Sequence, residues 1–413
     1  MSRYFFILWI FSFNFLFATD GRSDDLNQIP NQIDIKTLRD WIDTKKNVTI
    51  KKRDGDLSLS GEVRVELQSI NEKKDGFQQR GQGGQVPDTT RHSWDVEANF
   101  RLDYRTERTW LAAKLKFDNA MGIEKGSYDH IALERAIFGI QLVNAETYTI
   151  DLEVGRSAII STFDSKVQFG ATMDGLLFKY DQALENIGDL FLHGGPFIVN
   201  RNINHYAYVG ELGLLNIGRT GLYSKLSAIN WNTKHTHKNV RNDAFRFFNI
   251  QWMWGYTTLL PKIWQKNFTL YAGGLINAAA KGTNTTRGAK ERFAWYAGFS
   301  IGELRKKWDW SLNINYQWVQ AQAVPDFDVR GIGRGNAAKV GLYSSKSMGE
   351  GFPNPYGEGV GRSNYKGWAV EFLYLLTDNI TVYQEWRQSV NQTSRIKPSM
   401  SYKQYEIELI YGF

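Results

Sequence analysis

Ionisable side chains recur at every second position in several stretches of the chain, and this spacing limits the chemistry they can do. The clearest run is Glu62, Arg64 and Glu66. Residues two apart lie on the same face of a β-strand, so the three charges would share one wet surface. Catalysis would need a nucleophile beside a base, or an acid beside a base, and the six histidines stand in no such local grouping. The sequence therefore predicts no catalytic residues and no enzyme.

The same alternation continues over the next two strands. Apolar residues such as Trp94, Val96 and Phe100 occupy the positions between the charges. So many charges could not be packed in a dry core without a large cost of desolvation, so their face should meet water. The predicted water-facing residues are Glu62, Arg64, Glu66, Asp95, Glu97, Arg101, Asp103, Arg105, Lys114, Lys116 and Asp118.

Strands of about ten residues are separated by connections of two alternating lengths, which predicts the architecture. Short turns occur at 105–108, 143–146, 183–186, 216–219, 261–266, 302–307 and 377–379, and longer polar loops lie between them, the longest at 321–364. An even number of about 16 strands follows. Apolar faces that begin or end with Trp, Tyr or Phe are typical of strands that cross a bilayer, and a closed barrel leaves no unpaired edge in lipid. We expect an all-β, transmembrane, antiparallel up-and-down barrel with short periplasmic turns and long extracellular loops.

The ends of the chain predict export and assembly. Residues 1–18 combine Arg3 with an apolar run that ends at Ala18, which indicates a signal peptide. Residues 19–55 would be a periplasmic segment with a short helix at Ile35–Lys46, and residues 56–413 the barrel. The last strand places Tyr405, Ile407, Leu409, Tyr411 and Phe413 on one face. This resembles the closing strand of bacterial outer-membrane proteins, which implies recognition by the barrel-assembly machinery.

The segment from Leu57 to Phe413 resembles the porins of Gram-negative bacteria, in particular barrels of 16 strands. The resemblance lies in the overall plan and in Gly155-Arg156, followed by a loop and then Asp174-Gly175. It implies that the third long loop, Ser157–Thr172, folds inward and narrows a pore through Phe163, Asp164, Lys166, Gln168 and Phe169. The loop departs from the family pattern, because it is short and mixed in charge where the family loop is acidic and often longer.

The resemblance implies a water-filled channel in the outer membrane for passive diffusion of small hydrophilic solutes and ions. Two alternatives stay open. The channel could select a substrate such as a sugar, with Tyr271 and Tyr296 pointing inward as a stacking track, or the loop 321–364 could bind a partner at the cell surface. The expected partners are lipid, the assembly machinery and the solutes, and the family analogy adds a homotrimer.

Composition excludes several other classes of protein. The chain has no cysteine, so it contains no disulfide and no thiolate metal site. Its net charge of +7 is spread along 413 residues and forms no basic stripe for nucleic acid. His235 and His237 alternate in a basic loop without a third ligand nearby, which favours a solvated loop over a metal site. No cofactor is predicted.

Overall fold

The computed structural model describes residues 48–52, 55–85, 90–120, 130–200, 205–231, 247–260, 265–282, 286–325, 328–332, 363–396 and 398–413. Eighteen strands in this part of the chain form one antiparallel sheet. They are β1 (Val48–Lys52), β2 (Gly55–Lys74), β3 (Phe77–Gln78), β4 (His92–Arg105), β5 (Thr109–Ala120), β6 (His130–Asn144), β7 (Tyr148–Ala158), β8 (Thr172–Leu184), β9 (Gly188–Asn200), β10 (His205–Ile217), β11 (Leu222–Asn230), β12 (Phe248–Leu260), β13 (Lys266–Asn277), β14 (Phe293–Gly302), β15 (Trp310–Val319), β16 (Tyr365–Leu375), β17 (Ile380–Asn391) and β18 (Met400–Gly412).

Sixteen of these strands, β2 and β4 to β18, close into a barrel. Each pairs with the next along the chain, and β18 pairs with β2 to complete the circle. The described residues contain one short 3₁₀ helix, at Ile159–Ser161, and no helix that is both long and apolar enough to cross a membrane. The predicted fold class, an all-β antiparallel barrel of about 16 strands, is confirmed.

Alternating side chains explain why these segments form strands. In β15 the buried residues are every second one, from Ser311 to Val319, and the residues between them are half-exposed. β-Branched and aromatic residues fit such a pleated surface, in which one face is enclosed and the other is not. The same alternation recurs in β11, β12 and β16, so most of the barrel wall can be assigned from period-two patterning alone.

The turns at one end of the barrel are short because their side chains and glycines stabilise tight bends. In the β4–β5 turn, the Thr106 hydroxyl oxygen accepts a hydrogen bond from the Thr109 amide at 3.0 Å. In the β10–β11 turn, Gly221 has φ +82° and lies so close to Thr257 that a Cβ there would stand 2.0 Å from its carbonyl oxygen. Only glycine fits this position. The short turns predicted from the sequence coincide with these connections.

Irregular pairing in β6 explains why alternation is ambiguous between Leu133 and Leu142. Lys114 of β5 pairs with Arg135, whereas Leu115 pairs with Leu133, so Glu134 is an extra residue in the strand. A second shift follows between Gln141 and Val143. After each extra residue, the side chains that pointed outward at odd positions do so at even positions, or the reverse. The apolar and polar residues therefore do not alternate regularly in the sequence, although the strand is continuous.

Strand β1 was not predicted. Its backbone pairs with the first residues of β2, from Val48 opposite Leu59 to Lys52 opposite Gly55. A strand therefore occupies part of the segment 19–55, which the sequence predicts to be periplasmic with a short helix. The signal peptide at 1–18 and the helix at Ile35–Lys46 lie outside the described residues, as do His235, His237 and most of the loop 321–364.

Candidate functional site

The two faces of the barrel wall differ in chemistry. Large apolar side chains of one face are exposed, including Leu59 (42%), Trp94 (50%), Trp252 (59%) and Trp368 (50%). The opposite face carries polar and charged side chains that are buried or half-buried, such as Glu62, Asn99 and Gln251. Following the register around the barrel connects Gln251 of β12 to Glu62 of β2 on this same face. This continuous face surrounds the interior.

The register places all the residues predicted to meet water on the inward face, but the side chain of Glu62 is fully buried and does not meet water. The register places Glu62 opposite Asn99, Arg64 opposite Glu97, and Glu66 opposite Asp95. It likewise aligns Arg101, Asp103 and Arg105 of β4 with Lys114, Ala112 and Trp110 of β5. The side chains of Arg64, Glu66, Asp95, Glu97, Arg101, Asp103, Lys114 and Lys116 are half-exposed, and that of Arg105 is exposed. Asp118 pairs with Glu97 through the backbone, but its side chain lies outside the described part of the structure.

These charges form a network across neighbouring strands. Arg64 lies 2.6 Å from Glu62 and 3.2 Å from Glu408, which joins β2 to β18. The Asn99 amide donates to the Glu62 carboxylate at 2.9 Å. On the other side, Lys116 lies 2.7 Å from Glu97, and Lys114 lies 2.6 Å from Glu134. Opposite charges on adjacent strands stabilise the wall, while their half-exposed atoms remain available to water.

An acidic belt on the inward face was not predicted from the sequence. It comprises Glu66, Glu371, Glu385, Glu406 and Glu408. Glu371 pairs directly with Glu385, Glu385 with Glu406, and Glu408 with Glu66. Like charges opposite each other destabilise a sheet. Charged and amide side chains offset part of this cost, because Arg387 contacts Glu385 and the Gln68 amide bridges Glu66 and Glu406 at 2.8 and 3.0 Å.

The acidic belt contains one tight group of carboxylates. Oxygens of Glu66, Glu406 and Glu408 lie within 4.8 Å of one another. Arg64 already provides a cation to Glu408, and Gln404 donates an amide hydrogen bond to Glu406 at 2.6 Å. The carboxylates therefore have protein partners. Glu406 and Glu408 alternate with apolar residues in the sequence of β18. This alternation is the signal from which these two inward carboxylates could have been predicted.

The loop between β7 and β8, residues 159–171, turns into the barrel and is called the inward loop below. Of the residues predicted to narrow the pore, Phe163, Asp164, Gln168 and Phe169 are buried, and Lys166 is half-exposed. The rings of Phe163 and Phe169 lie 5.6 Å apart, tilted by 40°, and pack with Met173, Phe197 and Trp231 in one apolar cluster. Burial of these two rings anchors the base of the inward loop on β8 to β11.

Polar contacts hold the middle of the inward loop against the wall. Asp164 lies 3.1 Å from Lys225 of β11, and its carbonyl oxygen accepts from the Gln251 amide of β12 at 2.7 Å. The Gln168 amide oxygen accepts from Asn249 at 3.2 Å. Lys166 lies over the ring of Tyr271 of β13, 5.3 Å from its centroid. The inward loop thus follows the interior wall from β8 towards β13.

A second inward segment, comprising residues 320–325 and 328–332 after β15, was also not predicted. Its apolar residues Val324, Val329 and Ile332 are buried in one cluster with Val167 of the inward loop. Asp328 is fully buried, and burial raises the pKa of its carboxyl to about 7, although hydrogen bonds from two backbone amides act in the opposite direction. The two segments together cover the inward faces of β12 to β16.

Tyr271 and Tyr296 point inward as the sequence predicts, but both rings are covered by these segments. They are 7% and 1% exposed and belong to the cluster that contains Val167. Their hydroxyls are bound to protein, since Tyr271 donates to Asn313 at 2.6 Å and Tyr296 contacts the sulfur of Met253 at 3.1 Å. The interpretation of these rings as an open stacking track for sugars is therefore wrong.

The residues predicted as an assembly signal lie on the outward face of β18. Leu409 and Tyr411 are exposed, and Tyr405, Ile407 and Phe413 are half-exposed. Phe413 exchanges backbone hydrogen bonds with Gly61 at 2.8 and 2.9 Å, and its ring lies 6.0 Å from that of Phe100. The last residue of the chain thus takes part in closing the barrel at the β18–β2 seam.

Comparison with known proteins finds likeness only among solved structures. No family model matches the chain, and no curated protein matches it. A structure of Salmonella typhi OmpF in complex with daunomycin is 11% identical with a TM-score of 0.49, over 89% of this chain and 100% of that one. A triple mutant of Rhodopseudomonas blastica porin is 8% identical with a TM-score of 0.44, over 86% of this chain and 100% of that one. Both are porins, the group that the sequence resembles, while the architecture of this chain is established by its own strand pairing.

Proposed function

We propose that the chain is a porin of the bacterial outer membrane, a water-filled channel for passive diffusion of small hydrophilic solutes and ions. The observation that carries the proposal is the half-exposed, charged inward face of β2, β4 and β5. A barrel of 16 strands is wide enough to enclose an aqueous passage, and ionised side chains in its interior need water. We assign the pore lining to the residues from Arg64 to Asp118 that share this face, and Glu62, which is fully buried, to the wall behind it.

The inward loop would set the narrowest part of the passage. It lies against β8 to β13, so water would pass between this loop and the half-exposed charged faces of β2, β4 and β5. Pore width and the charges on its two sides would then sort solutes. Passive diffusion is favoured over a sugar-selective channel because the inward aromatic rings of Tyr271 and Tyr296 are covered.

The outward face supports a position in lipid. Exposed Trp252, Trp295, Trp368 and Tyr411 are of the type that forms the aromatic girdles of membrane barrels.

We propose that residues 1–18 are removed after export and that the barrel-assembly machinery reads the outward residues of β18 with Phe413. A homotrimer is also proposed, by analogy with the porins that the sequence resembles. Chemical cross-linking of the purified protein in detergent would detect a species of three chains if this analogy holds.

Conductance in a planar lipid bilayer tests the proposed function. We expect the purified, folded chain to insert and give stepwise conductance that rises with salt concentration. The same preparation denatured by heat serves as the control and should give no steps. A folded preparation that inserts without conducting would overturn the proposal. Swelling of protein-containing liposomes in a series of sugars should then show rates that fall with solute size and not with sugar identity.

A further inference from the structure

Asp328, in the second inward segment, bonds to a stretch of the inward loop that is far away in the sequence. Its two carboxylate oxygens accept hydrogen bonds from the amides of Phe169 at 3.1 Å and Ala171 at 3.2 Å. Its backbone carbonyl accepts from the amide of Gly170 at 2.9 Å. One residue therefore binds three successive backbone amides of the inward loop.

Arg330 extends this contact towards the middle of the inward loop. Its amide donates to the carbonyl of Val167 at 3.2 Å, and its guanidinium donates to the carbonyl of Ser165 at 2.9 Å. Val329, which lies between Asp328 and Arg330 in the sequence, packs with Val167 in the buried cluster. The residues 328–330 thus bind the inward loop from Ser165 to Ala171 by backbone, side-chain and apolar contacts at once.

The inward loop has a backbone conformation that needs such support. Phe169 has φ +70°, in the left-handed region that a bulky residue rarely adopts. A residue of this kind stays in that region only where its surroundings hold it there. The Asp328 carboxylate binds the amide of Phe169 itself and that of Ala171 two residues later. Without this acceptor, two amides in the buried part of the inward loop would lose their partner.

The second inward segment is itself anchored to the barrel. The side-chain amide of Asn277, at the end of β13, donates to the backbone carbonyl of Gln322 at 2.8 Å. The amide of Ile332 donates to the side chain of Gln317 in β15 at 3.2 Å, and Tyr365 of β16 donates to the same oxygen at 2.7 Å. These bonds connect residues 328–330 to the wall on both sides, so the segment can hold another loop in place.

We propose that residues 328–330 are a latch that holds the inward loop inside the barrel, so that two loops together set the open width of the channel. Asp328 and Arg330 are positioning residues in this proposal, because they act through the inward loop and not on the solute. The proposal rests on the proposed porin function where it concerns channel width. The position of the inward loop can be tested without it.

The test uses the full chain with Asp328→Ala and a matched control, Asp309→Ala. Asp309 is also a buried carboxylate that accepts from two backbone amides, those of Arg305 at 3.0 Å and Lys306 at 2.7 Å. It lies in the β14–β15 turn, at the end of the strands opposite the two inward segments. Both variants remove an acceptor from two amides, and Asp309→Ala also removes an ion pair with Lys266 at 2.6 Å, so the control removes at least as many contacts. Only Asp328→Ala removes them at the latch.

Loop position is measured by thiol labelling. The chain has no cysteine, so Val167→Cys introduces a unique thiol at a residue that is 0% exposed. We expect a water-soluble thiosulfonate to label it about tenfold faster in the Asp328→Ala background than in the unmodified or Asp309→Ala background, because labelling of a buried site follows its local opening. Equal labelling in the Asp328→Ala and Asp309→Ala backgrounds would overturn the latch.

Channel width is measured by single-channel conductance of the same variants. We expect the step to rise by roughly 1.5-fold or more in Asp328→Ala and to stay unchanged in Asp309→Ala, since pore width controls ion flow. Faster labelling without a larger step would also overturn the proposal. If Asp328→Ala does not assemble, Arg330→Ala removes the other side-chain contact and is compared in the same way. Absence of conductance in the unmodified chain would contradict the porin function, whereas the labelling result would still decide the latch.

Discussion

Arg64 shows how single residues hold the charged wall together. It is the cation between Glu62, which is fully buried, and Glu408 on the far side of the β18–β2 seam. Glu62 also receives an amide hydrogen bond from Asn99. Removing the cation would leave two carboxylates close together, one of them without contact with water. These charges therefore stabilise the barrel wall in addition to any role in the passage.

Replacing Arg64 should destabilise the barrel more than replacing an exposed arginine in a similar pair. We expect Arg64→Met to lower the free energy of unfolding by about 2–3 kcal/mol, because the buried Glu62 carboxylate loses its cation and keeps only the Asn99 amide as a partner. Arg156, whose pair with Asp174 is 44% and 49% exposed, is the matched control. Arg156→Met should cost less than about 1 kcal/mol. Denaturant unfolding in detergent measures both, and equal losses would contradict this account of Glu62.

At the level of strands and loops, period-two patterning predicts most of the structure. The inward position of Glu97 or Lys116 follows from alternation alone, because the side chains of a strand point to opposite faces. Alternation fails in β6, where the extra residue Glu134 changes the parity. It also cannot predict where residues 328–330 go, because their partners at 165–171 are about 160 residues away and contain no strand. Long-range packing of loops leaves no periodic signal in the sequence.

The closing strand gives a prediction about assembly. Phe413 directly follows β18 and continues the alternation of its outward residues. Its backbone pairs with that of Gly61. We expect deletion of Phe413 to slow folding into vesicles that contain the barrel-assembly machinery, because the machinery would read the terminal aromatic residue. Leu226→Ala, which changes an exposed outward residue of β11 outside the proposed signal, is the control.

Folding is also measured in vesicles that lack the assembly machinery. This comparison separates recognition of Phe413 by the machinery from its contribution to the stability of the barrel. If the terminal residue matters only for closing the seam, deletion of Phe413 should slow folding equally with and without the machinery. A selective delay in the presence of the machinery is the expected result. Folding is followed by the change in gel mobility between heated and unheated samples.

For the whole molecule, the net charge of the chain does not describe how charge is distributed inside the barrel. The sequence carries a net charge of +7, yet the acidic belt of Glu66, Glu371, Glu385, Glu406 and Glu408 lies on the inward face. Total charge is therefore a poor guide to what the interior attracts. Lys166 and Arg330, on the two inward segments, interact electrostatically with Glu371 of the belt. The passage would thus have an acidic wall opposite a few basic side chains on the loops.

An acidic wall should make the channel prefer cations. The field of carboxylates in the wall of a narrow aqueous passage raises the local concentration of cations and excludes anions. In a bilayer with a tenfold gradient of potassium chloride, we expect a reversal potential whose sign shows that potassium permeates more readily than chloride. Glu406→Gln should reduce that potential, because Glu406 lies in the middle of the acidic belt. Asp378→Asn, in the short β16–β17 turn, removes one negative charge outside the belt and should leave it unchanged. A preference for chloride in the unmodified channel would show that Lys166, Arg330 and the other basic residues outweigh the belt.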